Sequence, residues 1–147
     1  RKMEEDLDIF TRQNHSKYLC AVFIDADRFK GINDNFGHDT GDKVLKLLAS
    51  KIQAHTKKLN GEAYRYGGEE FIILCFEQKD ELIKKLNNLR ADIKSQKVFH
   101  PSKEISITVS MGVSFYNKSH SKEHFIKLAD DKVYEAKMNG RDRLEIA

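Results

Sequence analysis

Scarcity shapes this chain before any motif does. Cysteine occurs twice, at Cys20 and Cys75, both inside apolar strand-like segments and without Cys-x-x-Cys or Cys/His spacing. That speaks for buried thiols in a reducing compartment, and against a disulfide framework or a cysteine metal site. The sole proline, Pro101, falls in a segment, 97–103, with the look of a loop. No apolar stretch approaches the roughly 20 residues that a membrane-spanning helix needs, and there is no secretory signal. Neither sign of charge dominates: 26 Lys and Arg oppose 23 Asp and Glu, a net charge of +3, and the signs are interspersed. This is a soluble surface, not a basic arm for nucleic acid. Repeats, low-complexity tracts and internal linkers are missing too. The expectation is one cytoplasmic globular domain, residues 1–147, large enough to bury a real core.

Apolar periodicity supplies the outline. Residues 2–14 put Met3, Leu7 and Phe10 on one helical face; with no turn or cap ahead of them, residue 1 is expected to be a cut into a longer protein. Residues 18–26 form a nearly unbroken apolar run, as in a strand buried on both faces. A short helix is expected over 28–35 and a loop over 36–41. Val44, Leu47, Leu48 and Ile52 mark a long amphipathic helix that should stop near Asn60-Gly61. The extended segments 62–66 and 71–74 flank Gly67-Gly68, predicting a hairpin with a two-residue turn of positive φ. A helix over 79–95 aligns Leu82, Ile83, Leu86, Leu89 and Ile93. Alternation of Ile105, Ile107, Val109, Met111, Val113 and Phe115 predicts a half-buried strand. A last helix covers 121–139 before Gly140, and 142–147 makes a short closing strand. Strands and a hairpin with helices gathered on their faces give an α+β sandwich of the ferredoxin-like kind.

Charge placement comes next. Glu69 and Glu70 stand side by side at the mouth of the hairpin turn. Their mutual repulsion would be offset by a divalent cation; a solvated pair beside a Gly-Gly turn is the plainer alternative. The first strand ends in Asp25-Ala26-Asp27, whose two carboxylates point to one side of a sheet. If that strand neighbours the hairpin, Asp25, Glu69 and Glu70 converge into a hard oxygen site suited to Mg2+ and substrate phosphates. Asp27 is more simply a cap for the helix that follows. That helix, entered at Arg28-Phe29-Lys30, offers backbone N–H groups to an anion. Around the glycine-punctuated loop lie Asn33, Asp34 and Asp42. An acid and an amide together can read guanine, the acid accepting from N1–H and the exocyclic amine, although each alone is equally a turn residue. His38 is a structural loop residue. Lys137 and Arg141, four apart at a helix end, could clamp a triphosphate from one helix face, though cations there also suit the helix dipole.

The segments FIDADRFKGINDNFGHDTGD, RYGGEEF, ITVSMGVS and ADDKVYEAKMNGRDR follow one another from about residue 18 to the end. In order and spacing they resemble the GGDEF domain family, the diguanylate cyclases. The resemblance implies a fold similar to nucleotidyl cyclases and polymerase palms, a central, mostly antiparallel sheet surrounded by helices. It implies condensation of two GTP into cyclic di-GMP with release of two pyrophosphates, using Mg2+ or Mn2+. One GTP per domain further implies a two-fold homodimer. By the same resemblance Asp25 and Glu69 hold the metals, with Glu70 beside them as a further ligand or essential carboxylate, and the carbonyl of Ala26 joins them. The amides of Arg28 and Phe29, with Lys30 nearby, contact phosphate; Asn33 and Asp42 read guanine; Lys137 and Arg141 clamp the triphosphate. Glu69 stands where the family name has Asp, which keeps the carboxylate. By the same resemblance an upstream sensory or receiver domain is expected in the full-length protein, which could be membrane-tethered.

Two departures carry expectations of their own. Many family members have an inhibitory product site, Arg-x-x-Asp, where this chain has Lys58-Leu59-Asn60-Gly61, so product feedback there should be weak or absent. The family's leading Asp-x-Leu-Thr stretch is also missing, and with it an Asp that can pair with Arg65. The alternative to an active cyclase is a catalytically silent module of the same fold that binds GTP or a protein partner; the intact acids, guanine readers and clamp argue against it. A cyclase of relaxed base preference is disfavoured by Asp42.

Overall fold

The computed structural model describes residues 2–101 and 103–147. In chain order the elements are α1 (Lys2–Thr11), β1 (Tyr18–Ala26), α2 (Phe29–Phe36), α3 (His38–Thr56), β2 (Asn60–Arg65) and β3 (Glu70–Glu77). They continue with α4 (Lys79–Ser95), β4 (Val98–His100), β5 (Lys103–Ile105), β6 (Val109–Phe115), α5 (Lys122–Met138) and β7 (Arg143–Ile146). Five strands form one sheet in the order β2-β3-β1-β6-β7. Every pairing is antiparallel except β6 with β7, giving the mostly antiparallel α+β architecture expected.

The two-residue period of β1 sorts its side chains between two cores. Cys20, Val22 and Ile24 face one side, packed with Val44, Leu48 and Ile52 of α3 and Leu82, Leu86 and Ile93 of α4. Leu19, Ala21 and Phe23 face the other, against Leu7 of α1 and Phe125, Ala129 and Val133 of α5. Cys20 and Cys75 pair directly across β1 and β3 as buried free thiols. The Tyr64 hydroxyl donates to Asp6 at 2.5 Å, tying α1 to β2.

Several expectations change. β6 is buried on both faces, not half-buried. Its second face is made of Ser110, Gly112 and Ser114, small enough for α5 to lie directly on the strand. A Cβ on Gly112 would stand 2.0 Å from the Ala129 carbonyl oxygen, and Ser114 Oγ donates to the Phe125 carbonyl at 2.7 Å. The loop expected at 36–41 shrinks to Gly37, whose φ of 89° redirects the chain straight into α3. Asn60-Gly61 does not end that helix; both open β2, where a Cβ on Gly61 would lie 2.2 Å from the Leu74 carbonyl oxygen. The segment around Pro101 is a small hairpin, β4 with β5, and α1 stops at Thr11. Among the described residues, no helix is long and apolar enough to cross a membrane.

Candidate active site

The hairpin between β2 and β3 differs from a two-residue glycine turn. Arg65 pairs with Phe71, and the N–H groups of Tyr66 and Gly67 both donate to the Glu70 carbonyl, at 2.8 and 3.3 Å. Positive φ among the glycines is confined to Gly37 and Gly140, so neither hairpin glycine uses that freedom. Gly67 leaves room for the Glu70 carboxylate: a Cβ there would sit 2.6 Å from Glu70 Oε1, the mobile end of that side chain. Arg65 braces the turn, its Nε donating to the carbonyls of Gly68 at 3.1 Å and Gly67 at 3.3 Å.

β1 lies between β3 and β6, which brings the predicted acids to one rim. Asp25 is the register partner of Glu70, and the Ala26 N–H donates to the Glu69 carbonyl at 3.2 Å. Asp25 Oδ2 meets Lys137 Nζ at 3.2 Å, while Oδ1 is buried without any hydrogen-bond partner. Burial pushes the Asp25 carboxyl above its ordinary range against the pull of Lys137, with Glu69 and Asp27 adding to the rise. Glu70 is also raised, by burial first and then by Asp25, Asp130 and Glu69.

Among the described residues, no three His, Cys, Asp or Glu side chains close into a metal cage. The donor set nevertheless fits a hard divalent ion. Mg2+ takes one or two carboxylates together with waters and substrate phosphates. A buried carboxyl oxygen without a donor, at a cost of about 1–3 kcal/mol, is what a cation would satisfy.

The start of α2 overturns one expectation. Asp27 caps nothing; its carboxylate accepts from Thr108 Oγ1 and Ser110 Oγ, each at 2.7 Å, and from the Asp142 N–H at 3.0 Å. Arg28 holds the N-cap position in left-handed conformation, φ 56°, with no side-chain cap, so its strained backbone turns the chain into the helix. Lys30 pairs with Asp34 at 3.0 Å on the exposed face, an i,i+4 contact weak enough for an anion to displace. Asn33 and the residues around Asp42 do come together. A Cβ on Gly41 would fall 1.8 Å from Asn33 Oδ1, so the amide lies against the backbone that leads into Asp42.

The expected clamp is rearranged. Lys137 is in α5, but Arg141 is beyond its end and not on the same helix face. The Arg141 N–H donates to Ala136 O at 2.9 Å and the Gly140 N–H to Lys137 O at 3.4 Å, the pattern of a Schellman cap. Gly140, Arg141 and Asp142 follow with φ of 121°, 64° and 48°. Two successive left-handed residues that are not glycine cost about 1–2 kcal/mol each. Asp142 offsets this by accepting from Arg90 Nη1 at 2.7 Å and Lys94 Nζ at 2.8 Å. Burial raises the Asp142 carboxyl, but the bonds from Lys94 and Arg90 outweigh it and hold the group below its usual range. Arg141 and Arg28 border one groove of about 890 Å3, with Asp27, Ile32, Phe36 and Thr108. Sequence reasoning missed Asp27 as a hub, together with Arg90, Lys94 and Asp142. Only the Asp25-Ala26-Asp27 doublet hinted at it; nothing in a helical stripe marks Arg90.

At the place of the family's product site, the Lys58 carbonyl accepts from Lys85 Nζ at 3.4 Å, and Gly61 lies tight against β3.

A mostly antiparallel sheet, with acids at one rim and Lys137 against Asp25, defines an α+β domain of the palm-like type. The family model described as "Diguanylate cyclase, GGDEF domain" matches residues 1–143, and the chain belongs to that family. It is 34% identical over 147 residues to diguanylate cyclase A of Treponema denticola, covering 99% of this chain and 39% of that protein. To diguanylate cyclase DgcP of Pseudomonas aeruginosa it is 36% identical over 141 residues, covering 95% of this chain but 21% of that one. The chain thus spans well under half the length of these curated relatives. Among solved structures, the coiled coil and GGDEF domain of DgcB from Caulobacter crescentus, in complex with c-di-GMP, matches with a TM-score of 0.89 and 29% identity, over 100% of this chain and 80% of that one. An active GGEEF domain of a diguanylate cyclase from Vibrio cholerae matches with a TM-score of 0.80 and 30% identity, over 99% and 90%.

Proposed function

We propose that this domain is a diguanylate cyclase that condenses two GTP into cyclic di-GMP and two pyrophosphates, each of two domains in a homodimer presenting one GTP. The observation that carries this is Asp25: a half-buried carboxylate with one oxygen on Lys137, the other buried without a partner, and a second acid, Glu70, directly opposite. A rim of acids raised above their ordinary range is costly unless something positive arrives. Mg2+ or Mn2+ held by Asp25, Glu69, Glu70 and the Ala26 carbonyl would supply charge neutralisation at the α-phosphate and activation of the attacking 3′-hydroxyl.

The chain's own groups do the rest. Lys137 exchanges Asp25 for phosphate oxygens when the nucleotide enters. Arg141, with a buried Nε that has no partner, binds the same triphosphate, and Arg28, Phe29 and Lys30 meet it from the start of α2. Asp42 accepts from the guanine N1–H and exocyclic amine with Asn33 beside it; adenine would leave that acid unpaired. Glu69 in the family's Asp position is compatible with turnover, as the Vibrio cholerae relative described as an active GGEEF domain indicates.

Purified protein given GTP and Mg2+ is expected to yield cyclic di-GMP and pyrophosphate. Glu70→Ala should abolish the product while leaving the circular dichroism spectrum unchanged. A wild type that binds GTP yet forms no product at high protein concentration, even fused to a dimerising partner, would establish the silent module instead.

A further inference from the structure

We infer that Arg90 of α4, acting through Asp142, is a positioning residue that aims Arg141 into the nucleotide site. α4 packs against α3 and the sheet, and it contributes none of the acids, guanine readers or cations assigned above. One of its side chains nevertheless donates through Nη1 to the segment that presents Arg141. Arg90 Nη1 donates to both the carboxylate of Asp142, at 2.7 Å, and its carbonyl, at 3.0 Å. Nε and Nη2 are taken by Asn87 Oδ1, at 3.3 and 3.1 Å, which presets the guanidinium before it meets Asp142. Lys94 holds the other carboxylate oxygen at 2.8 Å, and the Asp142 N–H is fixed on Asp27 at 3.0 Å.

The clamped peptide is the strained one. Arg141 and Asp142 both lie in left-handed conformation, at φ 64° and 48°, one residue beyond the glycine that ends α5. Such a conformation persists when its surroundings over-determine it. Released from Arg90, the segment can relax, and Arg141, whose Nε is buried and unpartnered, swings free. Without these contacts a plain Gly-capped helix end would leave the Arg141 side chain unaimed.

What Arg141 grips rests on the diguanylate cyclase proposal; its placement does not, and the two are separable by experiment. In nucleotide-free protein, the Arg141 Nε–H resonance should be protected from solvent. Arg90→Ala should speed its exchange at least about tenfold, and Arg90→Lys, which keeps the charge on Asp142, should restore part of the protection. Calorimetry with Mg2+ and a non-hydrolysable GTP analogue should show binding about tenfold weaker for Arg90→Ala and for Arg141→Ala. The double variant should be no weaker than Arg141→Ala alone. If Arg90→Ala does not fold, Asp142→Asn serves, since Asn tolerates the left-handed conformation while losing the charge that Arg90 and Lys94 hold. Unchanged Nε–H exchange overturns the inference, as do binding losses that multiply. Faster exchange with full binding by Arg141→Ala upholds the positioning and removes the triphosphate as its purpose.

Discussion

Glu70→Gln separates what the acidic rim costs from what it does. The substitution keeps the side chain's shape and removes one negative charge opposite Asp25 in the β1–β3 register. In the folded protein Glu70 is raised above its ordinary value of 4.5, by burial first, then by Asp25, Asp130 and Glu69, with Lys137 opposing. An acid so raised holds its proton more tightly when folded, so its ionised form disfavours the native state. The cost is fully present above the folded-state pKa, shrinks as pH falls through it, and is gone below the unfolded value. Facing like charges on adjacent strands cost roughly 0.2–1 kcal/mol. Glu70 is only partly buried, and screening places the gain from Gln near 0.5 kcal/mol, about 1–2 °C in Tm for a domain of this size. Thermal melts followed by circular dichroism should therefore show the variant melting higher at pH 7 and the gap closing on acidification. GTP turnover should be lost throughout. A variant that melts lower than wild type at pH 7, or a gap that does not change with pH, refutes the claim that this rim is held against its own repulsion.

Two further substitutions test the backbone approaches on either side. Gly112→Ala would drive a Cβ to within 2.0 Å of the Ala129 carbonyl oxygen and 2.5 Å of the Val133 nitrogen. α5 must shift, at a cost of about 1–3 kcal/mol, and denaturant melts should show that loss together with weaker nucleotide binding, because α5 carries Lys137. Installing the family's product motif by Lys58→Arg with Gly61→Asp should fail: a Cβ at position 61 meets Leu74 O at 2.2 Å and the Cys75 Cβ at 2.6 Å. Calorimetry should find reduced stability and no sub-micromolar cyclic di-GMP at that place; tight binding there would show that β2 adapts.

The sheet was largely legible because β1 and β3 are long apolar runs and their rim acids sit at fixed ends. Asp25 facing Glu70 follows once those two strands are neighbours. The rest depended on close approach, which periodicity does not encode. Ser110, Gly112 and Ser114 look like a polar face until α5 is laid on them, so β6 passed for half-buried. Gly37 alone makes a turn where six residues of loop were expected, because one positive φ suffices. Gly67-Gly68 suggested a two-residue turn from the general habit of glycine pairs, whereas the Glu70 carbonyl accepts two N–H groups and Gly67 yields space to the Glu70 carboxylate. The four-residue spacing of Lys137 and Arg141 suggests one helix face, yet the helix expected over 121–139 stops before Gly140, and Arg141 lies past that stop.

Departures from local rules in this chain are not scattered. An unpartnered buried oxygen on Asp25, left-handed backbone at Arg28, Arg141 and Asp142, and an unpartnered buried Nε on Arg141 all fall at or beside one end of the sheet. Elsewhere the same sheet obeys ordinary economy: Glu77, buried near the far end of β3, is met by Lys17 at 3.1 Å and Lys85 at 2.8 Å and lies below its usual pKa range. The two acids at the ends of one strand thus have opposite fates. Glu77 is satisfied by the fold itself, with two cations that its burial requires. Glu70 and its neighbour Asp25 share one lysine, Lys137, among several acids, and among the described residues no second cation pairs with either. A chain able to neutralise one end of β3 so fully leaves the other end short of positive charge, which is the condition that a divalent ion and the Lys-displacing phosphates of a nucleotide would meet.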